Sequence, residues 1–292
     1  MSVHEQSNDC NVIPVLVGNR WKTHRSIQRV NRANLKTVRR DNRGEVNLYL
    51  PNIAVYNHRS LWKKIQNFCV EQKELNMGLA LHSEIWEKKE KKSHKRKIEE
   101  MSQIHGITYV STPRPGRRGG GSAITCDNSK YHLKEIIVDN PSNLEATFAT
   151  IRPKSEQSPN FIIIACAVYS PPRSRKKTLL IDFISEKYHY LKTKYPSAFF
   201  ILGGDINCLK VEQLLSISPS FQQIVTKPTR QGKILSVVIT DLHANYMEPE
   251  ILPPLQPDVI GCGKPSDHSV PYCQPYTNTS IPRKKRVYFK NY

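Results

Sequence analysis

The sequence predicts an α/β protein. From about residue 46 onward β-type apolar runs alternate with amphipathic segments and turn clusters, and the segment 179–195 repeats apolar residues at helical spacing. A length of 292 residues suits one domain of about 200–250 residues with extensions, or two domains. Hydrophobic residues make up 38% of the chain, enough for one core but below the roughly 45–50% of ordinary domains. Part of the chain is therefore expected to lie outside the core.

Residues 1–45 lack a sustained apolar period and read as a flexible or weakly helical basic extension, with nine cations and one acid between Arg20 and Arg43. The first strand of the main region, VNLYLPNIAVY leading to Asn57, should be broken at Pro51 or begin after it. Further strands are expected in MGLALHSEIW around Glu84, GSAITC (121–126), LEATFATIR (144–152), NFIIIACAVYS (160–170), AFFILGGD (198–205) and ILSVVITD (234–241). Helices are expected over 61–74, the charged run 87–104, 179–195 and 211–218. In the third, Leu180, Phe183, Ile184, Tyr188 and Leu191 form one apolar face for a sheet. The run 88–97 carries seven cations and one acid, and a solvated helical face is its simpler reading. The C-terminal RKKRVYFKNY is basic with interleaved aromatics: a nuclear-localisation patch, a phosphate-contacting tail or the start of a linker. The organisation is thus an extension over 1–45, a domain over 46–275 and a basic tail over 276–292.

Lysine and arginine number 44 against 25 acids, a net charge of 44 − 25 = +19. A surplus of this size points to a polyanionic partner, nucleic acid first among them. Nothing resembles a signal peptide or a membrane span, so the expectation is an intracellular protein, nuclear or cytoplasmic, with no membrane partner. The seven cysteines form no C-x-x-C pair, which supports neither a disulfide framework nor a structural zinc site. Cys166, inside an apolar run, reads as a small buried hydrophobe.

The polar residues that interrupt this pattern sit at strand ends, where a rigid scaffold presents chemistry. Asn57, Glu84, Asp205, Asn207, Asp267 and His268 form such a set. Three carboxylates, two amides and an imidazole are what metal-assisted phosphodiester hydrolysis uses: oxygen ligands for a hard cation, a base for water, and donors for the charge on phosphorus. Any one of them alone reads more simply as a cap or turn residue.

The ordered motifs YNHRSL (56–61), LALHSEIW (79–86), RRGGGSAI (117–124), AVYSPP (167–172), ILGGDIN (201–207), KPTRQGKIL (227–235) and PSDHS (265–269) resemble the endonuclease/exonuclease/phosphatase family. Within it they are most similar to the apurinic-type endonuclease domain of non-LTR retrotransposons, over about residues 46–275. The resemblance implies a deoxyribonuclease-I-like four-layer sandwich, two packed mixed β-sheets flanked by helices. It also implies Mg²⁺, with Mn²⁺ as an alternative and no other small-molecule cofactor, and duplex DNA as partner; it leaves the oligomeric state open. Carried across by motif, Glu84 is the principal metal ligand and Asp267 supports the metal side. Asn57 orients metal or phosphate, Tyr169 positions the phosphate or its water, Asp205 activates the water, Asn207 steadies that water or the transition state, and His268 polarises the phosphate. Arg117 and Arg118, beside the Gly119–Gly121 turn, and Thr229 with Arg230 become candidate DNA contacts. Trp62 and Trp86 read as packing residues.

The chain departs from the family at Ser236, in ILSVVIT, where a carboxylate normally orients the catalytic histidine. A serine offers only a neutral hydrogen bond, so His268 should have a lower pKa and a looser orientation. His82 is a milder departure, replacing a small polar residue. The sequence also shows no polymerase segment after PSDHS, which suggests a detached endonuclease domain. The activity implied is nicking of duplex DNA to leave a 3′-hydroxyl for target-primed reverse transcription. A catalytically impaired DNA-binding remnant and an abasic-site endonuclease are the alternatives.

Overall fold

The computed structural model describes residues 15–17, 20–22, 46–47, 49–87, 92–116, 119–140, 142–155, 161–259, 263–276 and 280–281. The chain forms two compact units, Met1–Gly44 and Glu45–Tyr292. In the first, strands β1 (Val15–Val17) and β2 (Arg20–Lys22) pair antiparallel, where the sequence suggested flexible or weakly helical chain.

The second unit runs β3 (Val46–Asn47), β4 (Ile53–Asn57), a 3-10 turn at Leu61–Lys63, α1 (Ile65–Glu74), β5 (Leu79–Ser83), α2 (Lys92–Ile104), β6 (Ile107–Thr112), β7 (Ser122–Asp127), β8 (Tyr131–Glu135), β9 (Ala146–Pro153), β10 (Ile163–Tyr169), α3 (Lys177–Lys194), β11 (Phe199–Asp205), α4 (Val211–Leu215), β12 (Gln222–Gln223), β13 (Ser236–Thr240), a 3-10 turn at His243–Asn245, β14 (Glu250–Leu252), β15 (Val270–Cys273) and β16 (Ser280–Ile281). The first main strand does begin after Pro51. The helix expected over 61–74 splits at Lys64, which leaves helical geometry at φ −131° as its ammonium, buried beneath the turn, donates to the His58 carbonyl at 2.6 Å. Strands β6, β8 and β15 lie in segments that the apolar pattern did not mark.

Two six-stranded mixed sheets result, ordered β12-β13-β11-β10-β9-β8 and β14-β15-β4-β5-β7-β6. Each holds one parallel pair near its centre, β10 with β11 and β4 with β5, and antiparallel neighbours elsewhere. Alternating side chains divide between the layers. Ile53, Val55, Leu79 and Leu81 point inward against Ile163, Ala165, Ala167 and Ile201, forming the core between the sheets. On the outer face of one sheet Ala54, Tyr56 and Ala80 meet Ile65, Phe68 and Cys69 of α1 and Ile98 of α2. On the other, Ile164, Cys166, Phe200 and Leu202 meet Leu180, Phe183, Ile184, Tyr188 and Leu191 of α3, the face expected from its spacing. The central strands are thus covered on both sides, which is why they read as continuous apolar runs. The four-layer sandwich is the one implied by the motifs.

This topology places the chemistry. In register, Asn57 pairs with Ser83, Tyr169 with Asp205, and Asp205 with Ser236. The C-terminal ends of both parallel pairs, one from each sheet, therefore deliver polar residues to one edge of the sandwich.

Candidate functional site

At that edge one amide links the two principal carboxylates. Asn57 Nδ2 donates to Asp205 Oδ2 at 2.7 Å and to Glu84 Oε1 at 3.2 Å. The Tyr169 hydroxyl donates to Glu84 Oε1 at 2.9 Å, and the Trp86 indole N–H donates to Glu84 Oε2 at 3.1 Å. Asp205 is buried and accepts from the Asn207 backbone N–H at 3.0 Å, while Asn207 Nδ2 donates to the Ser170 carbonyl at 2.9 Å. Ser83 stitches the sheets together beneath: its hydroxyl donates to the Val168 carbonyl and accepts from the Asp205 N–H, both at 2.9 Å. Six residues from the sequence motifs, Asn57, Glu84, Tyr169, Asp205, Asn207 and His268, thus share one site.

Backbone strain concentrates here. Arg59, Glu84, Trp86 and Asn207 hold φ of 47°, 52°, 55° and 44°, left-handed values that L-residues other than Asn and Asp seldom adopt. The two turns at Glu84 and Trp86 bring the indole back over the carboxylate two residues earlier. Helical or strand periodicity cannot foresee that contact, so Trp86 belongs to the site and not to core packing. Trp62 does pack as expected, stacked on His94 at 4.3 Å between ring centroids.

His268 is buried, with Nε2 3.7 Å from Asp205 Oδ2, too long for a hydrogen bond, and Nδ1 3.2 Å from the Ser236 hydroxyl. Burial holds its pKa down to about 4, assisted by the charges of Arg230 and Arg59 and opposed by Asp267. The imidazole is neutral at pH 7. Burial pushes Asp205 up to about 7, opposed by hydrogen bonds from Asn57 and Asn207 and reinforced by the charge of Glu84.

Three further candidates have partners that the motifs did not show. Asp267 Oδ2 lies 2.7 Å from Arg230 Nη2 and 3.7 Å from Arg59 Nη1, so its charge faces two guanidiniums. Arg230 is correspondingly tied to Asp267. Thr229 is 1% exposed; its hydroxyl accepts the N–H groups of Leu235 and Ser236, and its carbonyl accepts from Ser269. It braces the Ser236 and His268 segments and cannot reach a DNA phosphate. Arg117 and Arg118 lie outside the described residues, while Gly119, Gly120 and Gly121 form the tight turn expected of them, all with positive φ. His82 points away from the site into a buried aromatic stack, bonded to His58 at 2.7 Å and Thr125 at 2.9 Å.

Beside Tyr169 opens a cleft of about 930 Å³ with a cationic wall made by Arg114, Arg173, Arg175 and Lys176. No group of three or more His, Cys, Asp or Glu side chains close enough to hold a metal occurs among the described residues. No helix among them is long and apolar enough to cross a membrane.

Solved structures with the same architecture include the endonuclease domain of TRAS1, a telomere-specific non-LTR retrotransposon, 14% identical with a TM-score of 0.53 over 79% of this chain and 100% of that one. An AP endonuclease from Archaeoglobus fulgidus matches at 14% identity and TM-score 0.53, covering 78% and 100%. An endonuclease/exonuclease/phosphatase protein from Bacteroides vulgatus matches at 11% and 0.56, covering 77% and 99%. No protein-family profile and no curated protein sequence matches the chain. At these identities the likeness establishes the fold, that of the endonuclease/exonuclease/phosphatase proteins, which is the fold that the motif resemblance implied.

Proposed function

We propose that this chain is a divalent-metal-dependent phosphodiesterase that nicks duplex DNA, as the endonuclease domain of a non-LTR retrotransposon. One observation carries the reading: Asn57 bridges Glu84 and Asp205 where the parallel strands of both sheets end, with Tyr169, Asn207 and His268 around them. Hydrolases of nucleic acid and phosphate share this fold, and the solved neighbours include a D. rerio TDP2 complexed with a single-strand DNA product and a Neisseria 3′ phosphatase bound to a product DNA hairpin. A +19 charge and the cationic cleft suit a phosphate backbone.

The donors suit a hard cation. Glu84 presents a half-buried carboxylate, and Asn57 Oδ1 is buried without a hydrogen-bond partner, a neutral oxygen of the kind Mg²⁺ accepts. Glu84 and Asn57 would hold Mg²⁺, which supplies charge neutralisation at the scissile phosphate. Asp205, with a pKa near neutrality, takes the proton of the attacking water, the match of base strength to working pH that such transfer needs. Water adds to phosphorus as the P–O3′ bond breaks, and the departing 3′-oxygen takes up a proton from solvent, to which Asp205 releases the one it took, to become the 3′-hydroxyl. Asn207 fixes Asp205 through its backbone N–H, and Tyr169 fixes Glu84. His268, as a neutral imidazole, contributes a hydrogen bond and no charge.

That last point favours a second reading, a DNA-binding protein with little turnover, carried by the neutral Ser236–His268 contact. Relaxation of supercoiled plasmid with Mg²⁺ separates the two, and abasic duplex run in parallel tests the repair-type alternative. Nicking that Glu84→Gln abolishes supports the proposal; salt-sensitive binding with no nicking supports the second reading.

A further inference from the structure

Two of the three side-chain donors that hold Glu84, Tyr169 and Trp86, trace back to a single second carboxylate. Glu145, at the N-terminal edge of β9, is nearly buried and accepts from two directions. Its Oε1 receives Arg114 Nε at 2.8 Å, with Nη2 2.6 Å from the same oxygen. Its Oε2 receives the backbone N–H of Gly121. The first arm continues through the Arg114 guanidinium, which lies over the Tyr169 ring at 5.5 Å, to the Tyr169 hydroxyl on Glu84 Oε1. The second continues through the Gly119–Gly121 turn, where the Gly120 carbonyl accepts from the Trp86 backbone N–H, to the Trp86 indole on Glu84 Oε2. A side chain at 120 would collide with Arg114 and Glu145, so the turn can seat against this pair only as glycine.

We infer that Glu145, clamped by Arg114, is a positioning residue of the site: its two oxygens fix Tyr169 and Trp86, two of the three side-chain donors that orient Glu84. The inference rests on the phosphodiesterase reading for its consequence in turnover, but not for the geometry. An Arg–carboxylate pair suits the task because the planar fork transmits orientation, whereas a lysine would hold charge without direction. Partners behind a ligand of this kind change metal affinity or activity by about 10–100-fold when removed.

The test uses the full chain with Trp21 and Trp62 replaced by phenylalanine, so that Trp86 is the sole indole reporter. Acrylamide quenching of Trp86 and its response to Mn²⁺ are measured for the parent, Glu145→Gln and Arg114→Lys, with duplex affinity followed by gel shift. In both variants quenching by acrylamide should rise as the indole leaves Glu84, and the Mn²⁺ midpoint should weaken by about 10–100-fold, while duplex affinity of Glu145→Gln, which frees the Arg114 charge in the cleft wall, should not fall. Arg114→Lys keeps the cation and serves if Glu145→Gln does not fold. Unchanged Trp86 quenching in a folded variant overturns the inference. A parent that shows no Mn²⁺ response while the variants still release Trp86 upholds the positioning role and overturns the metal-dependent function.

Discussion

The Ser236 hydroxyl lies 3.2 Å from His268 Nδ1, the only side-chain hydrogen bond to that imidazole among the described residues. Because Ser236 is in register with Asp205 on the adjacent strand, it stands beside the base as well as behind the histidine. Burial leaves His268 with a pKa of about 4, and a neutral hydroxyl does nothing to raise it. Ser236→Asp should raise the His268 midpoint by about one to three units, as an adjacent carboxylate does, and increase nicking near pH 7. NMR titration of the imidazole across pH 3–8 checks the first effect; an unmoved midpoint would show that position 236 does not control the histidine.

Acid sensitivity should come from His268 and, beyond it, from two further buried histidines. Burial holds His82 down to about 3 and His58 well below the usual range, and the two rings share one hydrogen bond inside the Tyr56 and Phe68 stack. Folded, both stay neutral; unfolded, both take protons below about pH 6.5. Stability is therefore present above that pH and falls by about 1.4 kcal/mol per pH unit for each ring as pH drops toward the folded values. Thermal melts from pH 7 to pH 4 should show this slope, and His82→Gln should flatten it.

Gly204 precedes the proposed base at φ 147°, and any side chain there would run into the Val168 carbonyl on the neighbouring strand. Gly204→Ala should destabilise the fold by about 3 kcal/mol and displace Asp205. Chemical denaturation measures the first effect, and plasmid nicking the second.

The cleft beside Tyr169 offers Arg173 and Arg175 to a phosphate backbone, whereas Arg114 in the same wall is neutralised by Glu145. Arg173→Gln and Arg175→Gln should each reduce the slope of log affinity against log salt by about 0.9 for every phosphate left without its cation. Affinities measured between low and physiological salt give that slope directly; slopes equal to that of the parent would place the DNA elsewhere.

The central strands were legible because both their faces are buried, so β4, β5, β7, β9, β10, β11 and β13 appear as apolar runs ending in polar residues. Strands β6 and β8 were not, since their half-buried edge positions mix Thr, Ser, His and Lys into the pattern. Site residues at strand ends could be read for the same reason. Trp86 could not, because it reaches Glu84 through two left-handed residues, and neither could the Arg114–Glu145 pair, whose members meet across 31 positions. Thr229 and Asp267 carried the right motif, but their partners, two backbone amides and two guanidiniums, are fixed only by the fold.

The central claim is that Glu84 and Asp205, joined by Asn57, cleave a phosphodiester bond with a divalent ion. Supercoiled plasmid incubated with Mg²⁺ and purified wild-type chain, beside Glu84→Gln and Asp205→Asn, tests it most directly. Wild type should convert plasmid to the nicked form with a 3′-hydroxyl, EDTA should stop it, and Asp205→Asn should reduce the rate by about 10²–10⁴-fold, the usual contribution of a general base. Equal rates in wild type and both variants, or no Mg²⁺-dependent nicking at all, would contradict it.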